Sequence, residues 1–242
     1  MSSKQDQIFS QPQQISDFRF DDKVAAVFPD MISRSIPGYG EILATLSQLA
    51  RRFVQPNSNV YDLGCSLGAA TVAMRRGINQ DSVKIVAIDN SEAMIRRAGE
   101  HLQAFVSAVP VALHCADIRQ VEIEDASMVV LNFTMQFLAP EDRSALINKI
   151  YAGMKPGGLL VVSEKLNYDQ PRMHQLLDDL YLDFKRGNGY SELEISQKRN
   201  ALENVMKPDT LADHQARFRA AGFDESEVWY QCYRFASMIA VK

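Results

Sequence analysis

Apolar and polar positions divide most of this chain into short apolar runs that alternate with amphipathic helical stretches. The apolar runs predict strands at 59–63, 84–89, 111–116, 127–133 and 159–164. Helical spacing between the runs predicts helices at about 68–77, 91–106 and 140–152. Near-continuous apolar strands separated by amphipathic helices are typical of a parallel sheet that is covered on both faces. The chain is therefore predicted to be an α/β protein.

The region before this alternation is predicted to be helical after a polar start. Residues 1–14 are polar and glutamine-rich, and we expect residues 1–20 to form a flexible or loosely docked tail that Phe18 and Phe20 could anchor. Residues 21–55 carry helical apolar spacing, which Pro29 is expected to interrupt because proline removes a helix hydrogen bond. We interpret residues 21–55 as an N-terminal helical lid.

Residues 165–208 break the alternation after the fifth strand. Their leucine and glutamate spacing predicts two inserted helices, at about 170–185 and 191–205, and a further helix at about 209–221. Two apolar runs then predict an antiparallel hairpin at one edge of the sheet, at 227–233 and 235–241. Together these elements fit one domain over residues 1–242.

The overall composition argues against several classes of protein. An apolar fraction of 46% and a charged fraction of 23% are those of an ordinary globular protein. The net charge of −4 argues against a generally cationic surface, and short basic pairs such as Lys185-Arg186 are interpreted as solvated. No apolar run approaches the roughly 20 residues that span a bilayer, and residues 1–14 lack a secretory apolar region. We therefore expect neither direct nucleic-acid binding nor a membrane partner.

The cysteines and histidines form no recognisable metal-ligand pattern. Cys65, Cys115 and Cys232 lie far apart in apolar, strand-like stretches, and the four histidines are also dispersed. This spacing suits free thiols in a reducing compartment better than a disulfide framework or a zinc site. We therefore predict a cytoplasmic protein without a bound metal.

The residues that carry chemistry begin at the turn after the first strand. Residues 59–71 predict an apolar strand, a glycine-containing turn and a helix that opens with small residues. Gly64 and Gly68 leave room where a ligand approaches the backbone and where the helix packs on the strand. The free N–H groups of the helix N-terminus favour an anionic ligand group. Such turns serve many cofactors, so this turn alone identifies none of them.

Polar residues also stand at the ends of the next three strands, namely Asp89-Asn90, Asp117-Ile118 and Asn132. Ligands of open parallel sheets bind beyond the carboxyl ends of the strands. A carboxylate after the second strand can accept both hydroxyls of a ribose, and an acidic–apolar pair after the third can hold an adenine. Each residue could instead cap a helix or a turn, but polar residues at consecutive strand ends favour a shared site.

These features resemble the class I S-adenosylmethionine-dependent methyltransferases. The resemblance rests on residues 62–68, on the acidic ends of the second and third strands, and on residues 155–158 before the fifth strand. The usual motif has a central glycine in place of Ser66, which implies less room beside the methionine moiety. A nicotinamide cofactor fits less well, because its G-x-G-x-x-G pattern needs glycine at Ser66 and Ala69. The fold implied is Rossmann-like, with a mostly parallel sheet.

A second resemblance is more specific and runs nearly from end to end. The chain is similar to the bacterial carboxy-S-adenosyl-L-methionine synthases at 27–32, 37–39, 62–71, 126–134 and 189–199. Enzymes of this family take carbon dioxide from prephenate, release phenylpyruvate and attach the carbon dioxide to the sulfonium methyl. The resemblance implies S-adenosyl-L-methionine as substrate, carboxy-S-adenosyl-L-methionine as product and a homodimer. It also implies a tRNA carboxymethyltransferase that uses the product for 5-oxyacetic acid modification of the wobble uridine.

The family resemblance also implies which residues contact the adenosyl substrate. The implied cofactor-binding residues are Gly64, Cys65 and Ser66 at the methionine moiety, Asp89 and Asn90 at the ribose, Asp117 and Ile118 at the adenine, and Asn132 near the amino-acid end or the sulfonium. Tyr39 lies between Gly38 and Gly40, and its position alone slightly favours a structural contact. The resemblance makes Tyr39 a ligand contact instead. We expect no nucleophilic role for Cys65, because the sequence places no base beside it.

Arg199, in the inserted helices, is the predicted catalytic residue and a further cofactor contact. The product carries a carboxylate close to the sulfur, and an arginine fork can pair a carboxylate with two hydrogen bonds. The residues alone favour another interpretation, in which Arg199 lies on a solvated helix face and pairs with Glu203. An inserted helix can also reach a neighbouring subunit, so Arg199 is expected in its own site or in that of a partner.

The implied reaction sets requirements that the sequence meets only in part. Carbon dioxide must form and react in a closed, dry pocket. We assign no general base, and we hypothesise that a group released from prephenate as it aromatises takes the methyl proton. The sequence shows no second carboxylate-binding cluster for prephenate. Two alternatives stay open: an S-adenosylmethionine-dependent methyltransferase acting on a small molecule or tRNA, and an inactive binding partner of a tRNA-modifying enzyme.

Overall fold

A mostly parallel sheet organises the computed structural model, which describes residues 5–14 and 16–242; residues 1–4 and 15 of the predicted tail lie outside it. The described strands are β1 (Ser58–Leu63), β2 (Val83–Asp89), β3 (Val111–Cys115), β4 (Ala126–Asn132), β5 (Met154–Lys165), β6 (Glu225–Cys232) and β7 (Phe235–Val241). They pair in the order β3-β2-β1-β4-β5-β7-β6. The first five are parallel, and β7 is antiparallel to both β5 and β6. The predicted fold class, including the C-terminal hairpin, is confirmed.

Helices cover both faces of this sheet. They are α1 (Asp22–Ser35), α2 (Tyr39–Phe53), α3 (Ala69–Gly77), α4 (Glu92–Gln103), α5 (Pro140–Gly153), α6 (Pro171–Gly187), α7 (Glu192–Glu203) and α8 (Leu211–Ala221), with a short 3-10 turn at Met135–Phe137. The side chains of β1 alternate between the two cores, since Val60 packs with α2 and α3 while Tyr61 and Leu63 pack with α5 and α8. Among the helices of residues 5–14 and 16–242, none is long and apolar enough to cross a bilayer.

Helix α1 runs through Pro29 without a break, so the predicted interruption is wrong. A proline inside a helix costs about 3 kcal/mol because it removes a hydrogen bond and crowds the preceding turn. Val24, Val27 and Met31 are buried on the same side of α1, against Leu67 and α4. Burying several apolar side chains contributes about 1.5–3 kcal/mol each, which offsets the cost of the proline.

The described part of the N-terminal segment is docked on the helices. Asp6 is buried, and its Oδ2 accepts a hydrogen bond from the Tyr190 hydroxyl at 2.8 Å. The side-chain amide of Gln197, on α7, donates to the carbonyl oxygens of Phe9 at 2.8 Å and Gln11 at 2.9 Å. These contacts join the start of the chain to the inserted helices.

Close packing of α2 against α3 generates a stability prediction at Gly77. A Cβ at this position would overlap the carbonyl oxygen of Ser47, whereas a Cβ at Gly40 of α2 would meet open space. We expect Gly77→Ala to lower the free energy of unfolding by about 2–4 kcal/mol, because the backbones must separate. The matched control, Gly40→Ala, is expected to raise it by about 0.5–1 kcal/mol through helix propensity. Urea unfolding measures both, and a Gly77→Ala protein as stable as the wild type would contradict this packing.

Candidate functional site

A cavity of about 710 Å³ lies where the parallel strands end. This volume is within the range of sites for small molecules. The turn after β1, the ends of β2 to β5 and the helices α1, α2, α6 and α7 contribute to its walls. The cavity is lined by every predicted site residue: Tyr39, Gly64, Cys65, Ser66, Asp89, Asn90, Asp117, Ile118, Asn132 and Arg199. The structure therefore brings these residues together, and their individual roles stay predictions.

The glycine turn after β1 is fixed by backbone geometry. Gly64 has φ +82°, and a Cβ there would overlap the side chain of Thr134. Ser66 also adopts a left-handed conformation, with φ +50°, which explains why the usual motif has glycine at this position. The Ser66 amide donates to Asp89 Oδ2 at 2.9 Å, and its hydroxyl is directed to the sulfur of Met94 at 3.5 Å. The Ser66 side chain thus points toward α4.

Two buried oxygen atoms at the cavity lack hydrogen-bond donors in the described part of the chain. Asp62 is fully buried; Thr71 donates to its Oδ2 at 2.5 Å, and its Oδ1 has no donor. Burial raises the pKa of Asp62 to about 6. The side-chain oxygen of Asn132 also has no donor. Buried acceptors normally have partners, so these two oxygens fit a ligand that carries N–H donors, such as an ammonium group.

The carboxylates at the ends of β2 and β3 have different surroundings. Asp89 Oδ1 accepts the amide of Ser91 at 2.9 Å, and burial raises the pKa of Asp89. Ser91, rather than Asp89, is the N-cap of α4, which leaves the Asp89 carboxylate at the cavity. Asp117 instead pairs with Arg119 at 2.6 Å, which lowers the pKa of that carboxyl. Asp117 thus lies at the cavity as an ion-paired group beside the buried Ile118.

The reactive character of Cys65 is low in this cavity. Its side chain is buried, and burial together with nearby carboxylates raises the pKa of the thiol. A thiol with a raised pKa supplies little thiolate, which is the nucleophilic form.

A row of aromatic rings lines one side of the cavity. Ring centroids are separated by 6.5 Å between Tyr39 and Phe133, 6.0 Å between Phe133 and Phe235, and 5.0 Å between Phe235 and Tyr181. Phe133 has φ +62°, a strained conformation for an aromatic residue. We call these four residues the aromatic wall; it extends from α2, beside the glycine turn, to α6.

Three lysines that the sequence analysis missed also line the cavity: Lys165, Lys185 and Lys198. Lys185 is buried, so the interpretation of Lys185-Arg186 as a solvated pair is wrong for its first member. Arg186 is exposed and pairs with Glu192 at 2.6 Å. The signal for Lys165 was its position at the end of β5, where the strand-end rule applied to the other strands also holds. Lys185 gave no such signal, because its burial depends on how α6 packs.

One carboxylate lies close to Lys165 and to two arginine side chains. Asp178, on α6, lies 2.8 Å from Arg234, 3.5 Å from Arg199 and 4.0 Å from Lys165. Burial lowers the pKa of Lys165 to about 7 and that of Lys185 to about 8. We call Lys165, Lys185 and Arg199, which line the cavity, its cationic end; Arg234 pairs with Asp178 and is not part of the lining.

Arg199 lies on α7 at the cavity of its own chain. Its side chain is 58% exposed, and the carboxylate that it contacts is Asp178. Within residues 5–14 and 16–242 there is no ion pair between Arg199 and Glu203, the pairing that the alternative interpretation expected. Arg199 therefore lies beside the cavity and shares Asp178 as its counter-ion with Arg234 and Lys165.

Comparison with known folds agrees with this architecture. Residues 60–158 match the family model described as a methyltransferase domain. Human N-acetylserotonin methyltransferase, solved in complex with S-adenosylmethionine, superposes with a TM-score of 0.62 at 20% identity, covering 91% of this chain and 55% of the other. An O-methyltransferase family protein from Burkholderia thailandensis superposes with a TM-score of 0.65 at 16% identity, covering 92% and 60%. At these identities the likeness shows the fold alone.

Curated relatives are similar over the whole length. A carboxy-S-adenosyl-L-methionine synthase of Shewanella woodyi is 63% identical over 243 residues, covering 100% of both chains. The enzyme of that name from Shewanella oneidensis is 59% identical with the same coverage. The chain is therefore an enzyme that belongs to the carboxy-S-adenosyl-L-methionine synthase family, on a class I methyltransferase fold.

Proposed function

We propose that this enzyme converts S-adenosyl-L-methionine and prephenate into carboxy-S-adenosyl-L-methionine, phenylpyruvate and water. The observation that carries the proposal is the cationic end, which adjoins the predicted adenosyl site in one cavity. Asp178 neutralises only part of this charge, which suits an anionic second substrate. The names of the full-length relatives support the same product.

The residues around the glycine turn fit the adenosyl substrate. Gly64, Cys65 and Ser66 would adjoin its methionine moiety, with Asp62 and Asn132 supplying acceptors for the ammonium group. Asp89 and Asn90 would accept the ribose hydroxyls. Tyr39 would pack over the ligand, while Asp117 and Ile118 would lie at the adenine. These assignments place the acidic groups of the cavity around a cationic substrate.

The chemistry balances without an added oxidant or reductant. The bond between the ring of prephenate and its carboxylate breaks, and the electron pair enters the ring as hydroxide leaves and phenylpyruvate forms. Hydroxide takes a proton from the sulfonium methyl to give water, and the resulting ylide bonds to the carbon dioxide. The side chains of this chain enclose the carbon dioxide and bind both substrates. The proton acceptor then comes from the substrate rather than from a side chain.

Arg199 would meet the carboxylate that the product gains. Its guanidinium lies at the cavity, and a new carboxylate there would compete with Asp178 for its hydrogen bonds. We propose this contact as the one that distinguishes carboxy-S-adenosyl-L-methionine from S-adenosyl-L-methionine.

The assembly and partners belong to the same proposal. Apolar side chains are exposed on α6 and α7, at Met173, Leu176, Leu180 and Leu193. Such a stripe suits a self-complementary contact in a homodimer. The product would pass to a tRNA carboxymethyltransferase for modification of the wobble uridine, in the cytoplasm, where the free cysteines stay reduced.

An S-adenosylmethionine-dependent methyltransferase acting on a small molecule or tRNA is the alternative function. The structural neighbours that carry methyltransferase names share this fold. In that case the working ligand would be S-adenosyl-L-methionine and the cationic end would not be needed.

Turnover of the purified enzyme tests the proposal directly. We expect incubation with S-adenosyl-L-methionine and prephenate to give a product heavier than the methyl cofactor by one carbon dioxide, together with stoichiometric phenylpyruvate. Mass spectrometry detects both. Methyl transfer to an acceptor, with no prephenate consumed, would instead favour the methyltransferase alternative, and absence of both activities would favour a binding partner.

Replacing Arg199 tests its predicted contact with the product. We expect Arg199→Met to weaken carboxy-S-adenosyl-L-methionine binding by about tenfold or more, because a charge-assisted pair is lost. Affinity for S-adenosyl-L-methionine is expected to change by less than about twofold. Calorimetric titration measures both, and Arg172→Met, an exposed arginine of α6 outside the cavity, is the matched control. Equal losses for both ligands would remove the proposed discrimination.

The raised pKa of Asp62 predicts a pH-dependent affinity for S-adenosyl-L-methionine. Its carboxyl is protonated below a pKa of about 6, and the charged form favours a cationic ligand. Affinity should therefore rise as the pH increases through this value, by about tenfold from pH 5 if only the charged form binds. Titrations from about pH 5 to pH 8 measure it, with Asp62→Asn as the control that keeps the neighbouring Asp89. A wild-type profile as flat as that of the variant would refute the role of Asp62.

A further inference from the structure

Two lysines at the cationic end, the buried Lys185 and the 14% exposed Lys165, have few anionic partners. The ammonium group of Lys165 lies 4.0 Å from Asp178, a carboxylate that also serves Arg199 and Arg234. The ammonium group of Lys185 has neither a hydrogen-bond acceptor nor an ion pair among residues 5–14 and 16–242. Buried charges are normally paired, because the cost of removing them from water is large. The cationic end therefore favours an additional anion.

Lys198 provides a comparison within the same cavity. Its ammonium group donates to Ser35 Oγ at 2.9 Å and lies 3.8 Å from Asp6 Oδ2. The fold thus gives Lys198 its own partners and leaves Lys165 and Lys185 without equivalent ones. Lys165 and Lys185, which have few anionic partners, together form a subsite. Lys198 instead joins α7 to the N-terminal segment.

The two lysines share one aromatic surface. Their ammonium groups lie 4.8 Å and 5.6 Å from the ring centroid of Tyr181, the last member of the aromatic wall. A cation over an aromatic ring gains less free energy than the burial of an unpaired charge costs, so Tyr181 does not replace an anionic partner. The wall continues through Phe235 and Phe133 to Tyr39, beside the predicted adenosyl site. Prephenate carries its ring carboxylate and its 2-oxoacid arm on one ring carbon, so with the ring packed on this wall the arm can extend to the lysines while the ring carboxylate faces the adenosyl site.

The chemistry decides which carboxylate of prephenate the lysines can bind. The ring carboxylate loses its charge when carbon dioxide departs, so a strong ion pair to it would stabilise the ground state and oppose the reaction. The 2-oxoacid carboxylate keeps its charge through the reaction and remains in phenylpyruvate. Binding energy from this distant group can hold the substrate without raising the barrier.

We propose that Lys165 and Lys185 bind the 2-oxoacid carboxylate of prephenate, with its ring along the aromatic wall and its departing carboxylate toward the sulfonium. This assignment rests on the proposed function. It makes the two lysines specificity residues for the second substrate, while Arg199 meets the carboxylate transferred to the first.

Phenylpyruvate is the probe that isolates this contact, because it keeps the 2-oxoacid arm and lacks the departing carboxylate. The experiment measures two quantities. The first is the dissociation constant of phenylpyruvate, obtained by titrating it into the enzyme loaded with S-adenosyl-L-methionine, and the second is the KM for prephenate. For Lys165→Met and Lys185→Met we expect both quantities to rise by about tenfold to a hundredfold, since a charge-assisted contact is lost. The dissociation constant of S-adenosyl-L-methionine should stay within about twofold, which also shows that the variants are folded.

Lys84→Met, an exposed lysine of β2 outside the cavity, is the matched control and should leave all three quantities unchanged. The assignment is overturned if prephenate is consumed but phenylpyruvate binding and the KM stay within about twofold of wild type in both lysine variants. Absence of binding of phenylpyruvate to an active wild-type enzyme would overturn it as well. If wild-type enzyme forms no carboxy-S-adenosyl-L-methionine from prephenate, the proposed function itself has failed, and the assignment fails with it.

Discussion

Parallel pairing of β1 with β2 on one side and β4 on the other fixes the position of the site. This pairing brings the carboxyl ends of three strands to one edge, where the glycine turn, Asp89 and Asn132 meet. The hydrogen bond from the Ser66 amide to Asp89 then ties the turn to the neighbouring strand. Because the strand order reverses at β1, a crevice must form there whatever ligand the protein binds. The chemistry of the crevice comes from the residues placed around it.

The sequence predicted most of the fold, because apolar periodicity in α/β proteins is strong and the connections are short. It failed at Pro29, where a local preference for breaking the helix opposes tertiary packing of α1 on α4, and packing prevails. It also left Asp6 unnoticed, since a lone acidic residue near a polar terminus shows nothing of the tyrosine and lysine that surround it after folding.

The candidate site was predictable in part for the same physical reason. Residues at strand ends follow from the sheet, so Asp89, Asn90 and Asn132 could be placed before the structure. Lys185 could not, because a lysine on an amphipathic helix is normally solvated, and only the packing of α6 over the sheet buries it. The structure therefore adds the lysines of the cationic end to the strand-end residues that the sequence already predicted.

The docking of the N-terminal segment has a consequence for how ligands enter and leave. Phe18 and Phe20 belong to the cavity wall, and Phe20 packs against Phe137 at 5.3 Å. The segment before them is fastened to α7 through a few hydrogen bonds, including those of Gln197. The buried Asp6 adds contacts to Tyr190 and Lys198. A ligand that passes Phe18 and Phe20 must displace side chains whose own segment is held on the inserted helices, so a substitution far from the cavity, at Gln197, is a second way to alter its wall.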